Sequence, residues 1–383
     1  MNFRGNQLAV AVTRAAGALS TQAADFKSGA DRQMWGLGSW DTEALFTVDE
    51  TFSGYTPPGI LDGIGAVKKN PVQVYIYVNH ELPADRGYPY SLANGTTMTG
   101  ARVSVFTLDA KQRKNNEKVG NIKNIELAYD AVYDRFGMMV THPSQINEQG
   151  DELRGFERLC SANIVEGGSY NFEDTVFVTN EETSAAYGHP HGGSYWMLDT
   201  ANRELWAAPD LGRGTWESAT FVETGEEDHV ALLLGDDFQA APLYLYIGEK
   251  NPSGNFLERN GLSGGQLFVW IEGDNGDRTP EDWNGTGTIR SGYFAPVDAS
   301  GAAEACPTGG VDAQGYFDDT CLRGIATGDA DSGGLQAFAF SRPEDLATNP
   351  ADGSQVVMAS TGRDRLFPSD SWGTTYLIDM DLT

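Results

Sequence analysis

Basic side chains are scarce in this chain: 26 Lys and Arg stand against 54 Asp and Glu, a formal charge of −28 at pH 7. Such a surface lacks the groups that would release counterions from a nucleic acid or hold an anionic membrane, so it excludes both partners and attracts metal cations. The same acidity keeps a protein soluble in salt, and a saline or extracellular setting explains much of it. Cysteine is nearly missing, with Cys160, Cys306 and Cys321 alone. Cys306 and Cys321 flank a Gly- and Asp-rich loop and would pair in an oxidising compartment. Cys160 has no CxxC or Cys/His spacing near it, so it reads as a buried structural thiol. No apolar run approaches the ~20 residues a membrane helix needs, so no membrane insertion is expected. The early apolar stretch Leu8 to Val12 is cut short by Arg14 and makes no convincing secretion signal. Neither GxGxxG nor GxxxxGK nor Gly-x-Ser-x-Gly occurs, which sets aside nucleotide folds and serine hydrolases.

Aromatic side chains are plentiful. The 18 Phe, 15 Tyr and 8 Trp supply a large core and exclude disorder. The first 50 residues hold one segment that reads as a helix, Leu8 to Leu19, Ala-rich and free of proline. Beyond it short β-rich runs recur, among them Val72 to Val78, Arg102 to Leu108, Val230 to Leu234, Leu243 to Ile247, Gln266 to Ile271 and Val356 to Ser360. Turn formers such as Asn275-Gly276 and Asp352-Gly353 stand between such runs. Many strands without alternating helices define an all-β class, and the length suits a β-propeller of about six divergent blades better than one sandwich. We therefore expect an N-terminal segment over residues 1–50 with a short helix, then a single propeller domain over 51–383. Two strand-poor stretches, Asp109 to Asn171 and Glu272 to Gly334, are expected to be long loop excursions.

Three acidic clusters fall at the ends of β-type runs: Asn79-His80-Glu81, Asn180-Glu181-Glu182 and Gly235-Asp236-Asp237. Carboxylates at strand exits line one end of the sheets, where they can converge on a cation. Each cluster also has a plainer reading. His80 suits a hydrogen-bonded strand end, and Asp236-Asp237 suits a hairpin turn. Glu181 and Glu182 point to opposite faces of an extended strand, so at most one of them faces a central site. His189-Pro190-His191 is flanked by glycines and reads as a loop. Asp329-Ala330-Asp331-Ser332-Gly333-Gly334 has the alternating acids of a calcium loop but not the later Glu of an EF-hand.

Tyr55 to Ala66 followed by Val78-Asn79-His80-Glu81 resembles the opening of the PhoX-type alkaline phosphatases. Thr175 to Glu182, Gly214 to Ala219, Gly235-Asp236-Asp237 with Leu243 to Tyr246, and Arg342-Pro343-Glu344-Asp345 are similar to further segments of that family in the same order. The resemblance implies a propeller whose mouth holds calcium and iron and hydrolyses small phosphate monoesters. It implies Glu81, Glu182, Glu217, Asp237 and Glu344 as metal ligands, Glu217 and Arg342 as catalytic groups, and an extracellular or periplasmic location. Asn180 stands where the family carries an iron-binding Cys, and Trp216 where it carries a His, so the iron centre is expected to be absent or altered. Two other readings stay open: a non-catalytic, calcium-stabilised propeller in a surface, matrix or binding role, and another calcium-dependent hydrolase such as a lactonase.

Overall fold

The structure, a computed structural model, describes residues 7–13, 29, 33–109, 121–147, 153–184, 191–283, 285–363 and 365–382. A strand that is apolar at every position is stable only where both of its faces are covered, because successive side chains point to opposite sides. The middle of His229–Asp236, from Val230 to Leu234, is such a run. Its Val230, Leu232 and Leu234 belong to one buried cluster, and its Ala231 and Leu233 to the next. Tyr195–Asp199 behaves alike: Tyr195 and Met197 face one way, Trp196 and Leu198 the other. Each Val or Leu buried in this way stabilises the fold by roughly 1.5–3 kcal/mol.

This two-sided packing stacks the sheets face to face as an all-β, mostly antiparallel propeller. Blade I consists of Leu61–Asn70, Gln73–His80, Arg102–Asp109 and Ile122–Leu127, in that order from the inner strand outward. Blade II runs Leu159–Val165, Val176–Glu181, Tyr195–Asp199 and Glu204–Ala207, and closes with Ala131–Tyr133 in parallel pairing. Blade III runs Trp216–Val222, His229–Asp236, Tyr244–Glu249, Gln266–Glu272 and Gly292–Val297. Blade IV has Pro343–Asn349, Asp352–Ser360 and Thr374–Asp379. The inner strands of successive blades lie against one another in the order I, II, III, IV.

Four blades form, not the six or so that an even division of the length suggests. The blades hold between three and five strands, and the connections between them take up the remaining residues. The stretch Asp109 to Asn171 is also not a simple excursion, since it contains Ile122–Leu127, Ala131–Tyr133 and the inner strand of blade II. Near the N-terminus, Gln7–Thr13 is a strand paired antiparallel with Trp40–Thr47 rather than the start of a helix. Pairing with a partner strand outweighs the helix preference of its two alanines. Residues 14–19 of the expected helix lie outside the described residues. Leu45 and Phe46 of this hairpin seal the second face of blade I against Val78, Phe106 and Ile125. Among the described residues no helix is long and apolar enough to cross a membrane.

Cys306 and Cys321 are joined as a disulfide across a separation of 15 residues. Cys321 lies in the helix Asp319–Thr327, whose Arg323 reaches back to blade III: Nε and Nη2 donate to the two carboxylate oxygens of Asp236 at 2.6 and 2.8 Å. Within the connection between blades III and IV, the disulfide therefore ties this helix to the loop before it, and the buried ion pair two residues further on ties the helix to blade III.

Candidate metal centre

All four inner strands begin with the same irregularity. Leu61 pairs with His80 and Ile64 with Val78; Leu159 pairs with Glu181 and Ala162 with Thr179. Trp216 pairs with Asp236 and Ala219 with Leu234; Pro343 pairs with Ser360 and Leu346 with Met358. In each case three steps on the inner strand oppose two on its partner, which is a β-bulge, a device that bends a strand and re-aims a side chain. The first bulged residues are Asp62, Cys160, Glu217 and Glu344. The partner strand exits in each blade through Glu81, Glu182, Asp237 and Thr361. Their backbone N–H groups donate to the carbonyls of Ile60, Arg158, Thr215 and Arg342 at 2.9, 3.0, 2.8 and 3.0 Å. The fourfold repeat thus delivers two residues per blade to one end of the molecule.

Adjacent heads are locked together backbone to backbone. A Cβ at Gly63 would lie 2.3 Å from the Ala162 amide nitrogen, and one at Gly235 would lie 2.3 Å from the Glu344 carbonyl oxygen. Only glycine allows either approach. Asn79 Nδ2 donates to the carbonyls of Cys160 and Ser161 at 2.6 and 3.0 Å, and Asn180 Nδ2 donates to the Trp216 carbonyl. Ser218 accepts from the Leu346 N–H and donates to the Glu344 carbonyl, both at 2.9 Å. These side chains fix where Cys160, Glu217 and Glu344 sit.

The result is a cage of carboxylates around one thiol. Cys160 Sγ donates at 3.3 Å to Asp62 Oδ2 and lies 3.3 and 3.4 Å from the two oxygens of Glu217. Ligand atoms of Asp62, Glu81 and Cys160 fall within 4.8 Å of one another, and so do those of Cys160, Glu182 and Glu217. Two guanidinium groups cross the mouth. Arg158 bridges Glu81, at 2.7 Å, and Glu182. Arg342 grips Asp237 through two bonds of 2.7 and 2.6 Å and reaches Glu344 at 2.8 Å.

Electrostatics show how crowded this charge is. Burial, then neighbouring Glu182, Asp62 and Asp237, pushes Glu217 up to about 8. Burial and the hydrogen-bonded Asp237 push Glu344 up to about 7. Asp62 and Glu182 are also raised, chiefly by burial, Glu182 in spite of Arg158. Burial and the surrounding carboxylates hold the Cys160 thiol far above its ordinary range. Six carboxylates against two guanidiniums cannot all ionise cheaply, and a bound cation is the charge that would let them. The donor set fits metals of two kinds: oxygens suit calcium, while the thiol, once deprotonated, suits a softer ion such as iron.

Of the residues expected at a site, Glu81, Glu182 and Glu217 come together in this cage, with Asp237 and Glu344 held beside them by Arg342. Cys160 is not a structural thiol remote from the site but stands at its centre. Asn180, where a Cys was expected, is buried and clamps the next blade, as Asn79 does one blade earlier, so its identity does not deprive the cage of sulfur. Trp216 points away into the core, 5.4 Å from the Tyr244 ring. His80 is buried, with Nε2 2.7 Å from Ser104 Oγ, which is the hydrogen-bonded strand end of the plainer reading. Glu181 faces the opposite side from Glu182 and accepts from the Glu157 N–H at 2.9 Å. His191 is buried beside Trp196, whereas His189 and Pro190 lie outside the described residues. Asp329 is exposed and pairs with Arg278 at 3.3 Å at the start of a short turn.

Asp62, Arg158 and Cys160 escaped the sequence reading. The signal was present in the repeat itself: Leu159-Cys160-Ser161-Ala162 parallels Trp216-Glu217-Ser218-Ala219, and both span the bulge.

The chain matches no protein-family model and none of the curated proteins. Among solved structures it is distantly similar to Pseudomonas fluorescens PhoX in complex with vanadate, a transition state analogue, at 17% identity and a TM-score of 0.45. The match covers 79% of this chain and 58% of that one, so the chain spans less than two thirds of that protein's length.

Proposed function

We propose that this chain is a metal-dependent hydrolase of small phosphate monoesters, with its metal centre in the cage at the blade heads. The observation that carries the reading is the convergence of Asp62, Glu81, Cys160, Glu182 and Glu217 on one place. Glu81, Glu182 and Glu217 are ligands, joined by Asp62 and Cys160, with Asp237 and Glu344 completing an oxygen-rich side suited to calcium. Cys160 is the soft ligand that iron or a similar ion requires. Cations held there would supply Lewis acidity, neutralising phosphoryl oxygens and activating water. The chain's own part is to orient the ester and manage protons. Arg342 presents the planar fork that matches a phosphoryl group, and Glu217, whose affinity for a proton burial and its neighbours raise, would release that proton as it becomes a ligand. The disulfide favours an oxidising location, extracellular or periplasmic.

The test is turnover of a chromogenic phosphate monoester by the purified chain, alone and loaded with calcium, iron or both. Metal-dependent turnover that falls at least about a hundredfold in Arg342→Gln supports the assignment, on the scale of losing a donor to the transition state. Metal binding without turnover of any phosphate ester would overturn it in favour of a calcium-stabilised binding propeller. Turnover of lactones instead would move the chemistry to carboxyl esters.

A further inference from the structure

The two arginines of the cage hold equivalent places in the repeat. Each immediately precedes an inner strand, in blades II and IV, and each has left-handed backbone, with φ of +48° at Arg158 and +84° at Arg342. A residue with a Cβ adopts that conformation at a cost, so the fold must hold it there. It does so through the carbonyls, which accept from the Glu182 and Thr361 N–H groups at 3.0 Å each. Each side chain then crosses to the exit carboxylate of the preceding blade: Arg158 to Glu81 and Arg342 to Asp237. Each also takes a carboxylate of its own blade, Glu182 or Glu344. Blades I and III carry Ile60 and Thr215 at this position, so guanidinium groups alternate with neutral side chains along the row of heads.

Glu81 and Glu182 are also members of the two groups that converge around Cys160. A guanidinium and a divalent cation compete for the same carboxylate lone pairs. Arginine cannot give up its charge, so displacement means that the side chain swings away while its backbone stays fixed. The side-chain exposures, 41% for Arg158 and 26% for Arg342, leave room for that swing toward solvent. A guanidinium released from a carboxylate is a bidentate receptor for another oxyanion.

We propose that Arg158 and Arg342 are exchangeable counter-ions, displaced from Glu81, Glu182, Asp237 and Glu344 when cations load, and then receiving the phosphoryl group of the ligand together. This rests on the metal-centre reading above, and it makes cation binding and oxyanion binding mutually reinforcing.

Calorimetry on the full chain tests it, with calcium as one titrant and phenylphosphonate, a non-hydrolysable mimic of a phosphate monoester, as the other. Arg158→Gln removes a competing charge and is expected to bind calcium roughly tenfold more tightly than the parent chain. It is expected to bind phenylphosphonate, with calcium present, roughly tenfold more weakly. Arg342→Gln should show the same opposed pair of changes. Arg158→Lys, which keeps the charge, should leave calcium affinity near that of the parent. In the parent chain, phenylphosphonate should bind more tightly with calcium than without it. If the parent binds calcium but both Gln variants bind it with unchanged or weaker affinity, the counter-ion role is overturned. Equal affinity of the parent for phenylphosphonate with and without calcium would overturn the coupling. No calcium binding by the parent would instead remove the metal-centre reading on which the proposal stands.

Discussion

Replacing Arg323 by methionine is expected to destabilise the chain by about 3–5 kcal/mol, read as the loss of unfolding free energy in urea. Arg323 is buried, and it donates to both oxygens of Asp236, to Asp319 at 2.7 Å and to Thr215 Oγ1 at 2.9 Å. Methionine matches its length and apolar stem but leaves Asp236 and Asp319 as buried carboxylates with no cation. Most of the cost is that unpaired charge rather than the attraction lost, so adding Asp236→Asn to Arg323→Met should recover a large part of it. A loss below about 1 kcal/mol in the single variant would mean that the pair is solvated and does not anchor the excursion. The consequence reaches the site, because Asp236 also accepts from the Thr215 N–H at 2.9 Å and directly precedes Asp237.

Sequence pattern disclosed the class of fold and one part of the cage. Apolar runs such as Val230 to Leu234 are visible because both faces of a blade are buried, and the acidic exits follow those runs directly. The number of blades was overestimated because an even division of the length assigns to blades the residues that the long connections take up, while a strand such as Leu159–Val165 was hidden because it carries Ser161 and Asn163 and lacks a continuous apolar run. Missing that strand concealed Cys160, and with it the sulfur of the site. Asp62 was hidden for a related reason: a bulge breaks the alternation by which an inward side chain is recognised. The roles of Asn180 and Arg323 depend on contacts across 36 and 87 residues and leave no local mark.

Removing metal is expected to have the second large effect. With calcium at a thousand times its dissociation constant, the chain should be about 4 kcal/mol more stable than in EDTA. The difference should depend on pH. Glu217, near 8, and Glu344, near 7, bind protons more tightly when folded than their ordinary value near 4.5 allows. The folded chain in EDTA therefore holds more protons than the unfolded chain between those values, and its stability falls as pH rises toward 8. His80 works in the opposite sense: burial lowers it to about 3, so its contribution is lost only as pH falls below about 6.5. The interval from pH 6.5 to 8 isolates the carboxylates, and a loss of about 1–2 kcal/mol is expected there after allowing for their partial exposure. Calcium should abolish that slope, because it binds the ionised carboxylates. A pH-independent stability in EDTA across this interval would show that the cage is not electrostatically crowded.

Cobalt(II) reports on the cage most directly, because a thiolate bound to it absorbs by charge transfer from sulfur to metal. With Cys306 and Cys321 joined in a disulfide, Cys160 is the one thiol of the chain. The parent chain titrated with cobalt(II) should develop that absorption to a fixed stoichiometry, and Cys160→Ser should bind cobalt without it. Cobalt bound with no charge-transfer absorption in the parent, or with absorption retained in Cys160→Ser, would contradict a metal centre built on the four blade heads around Cys160.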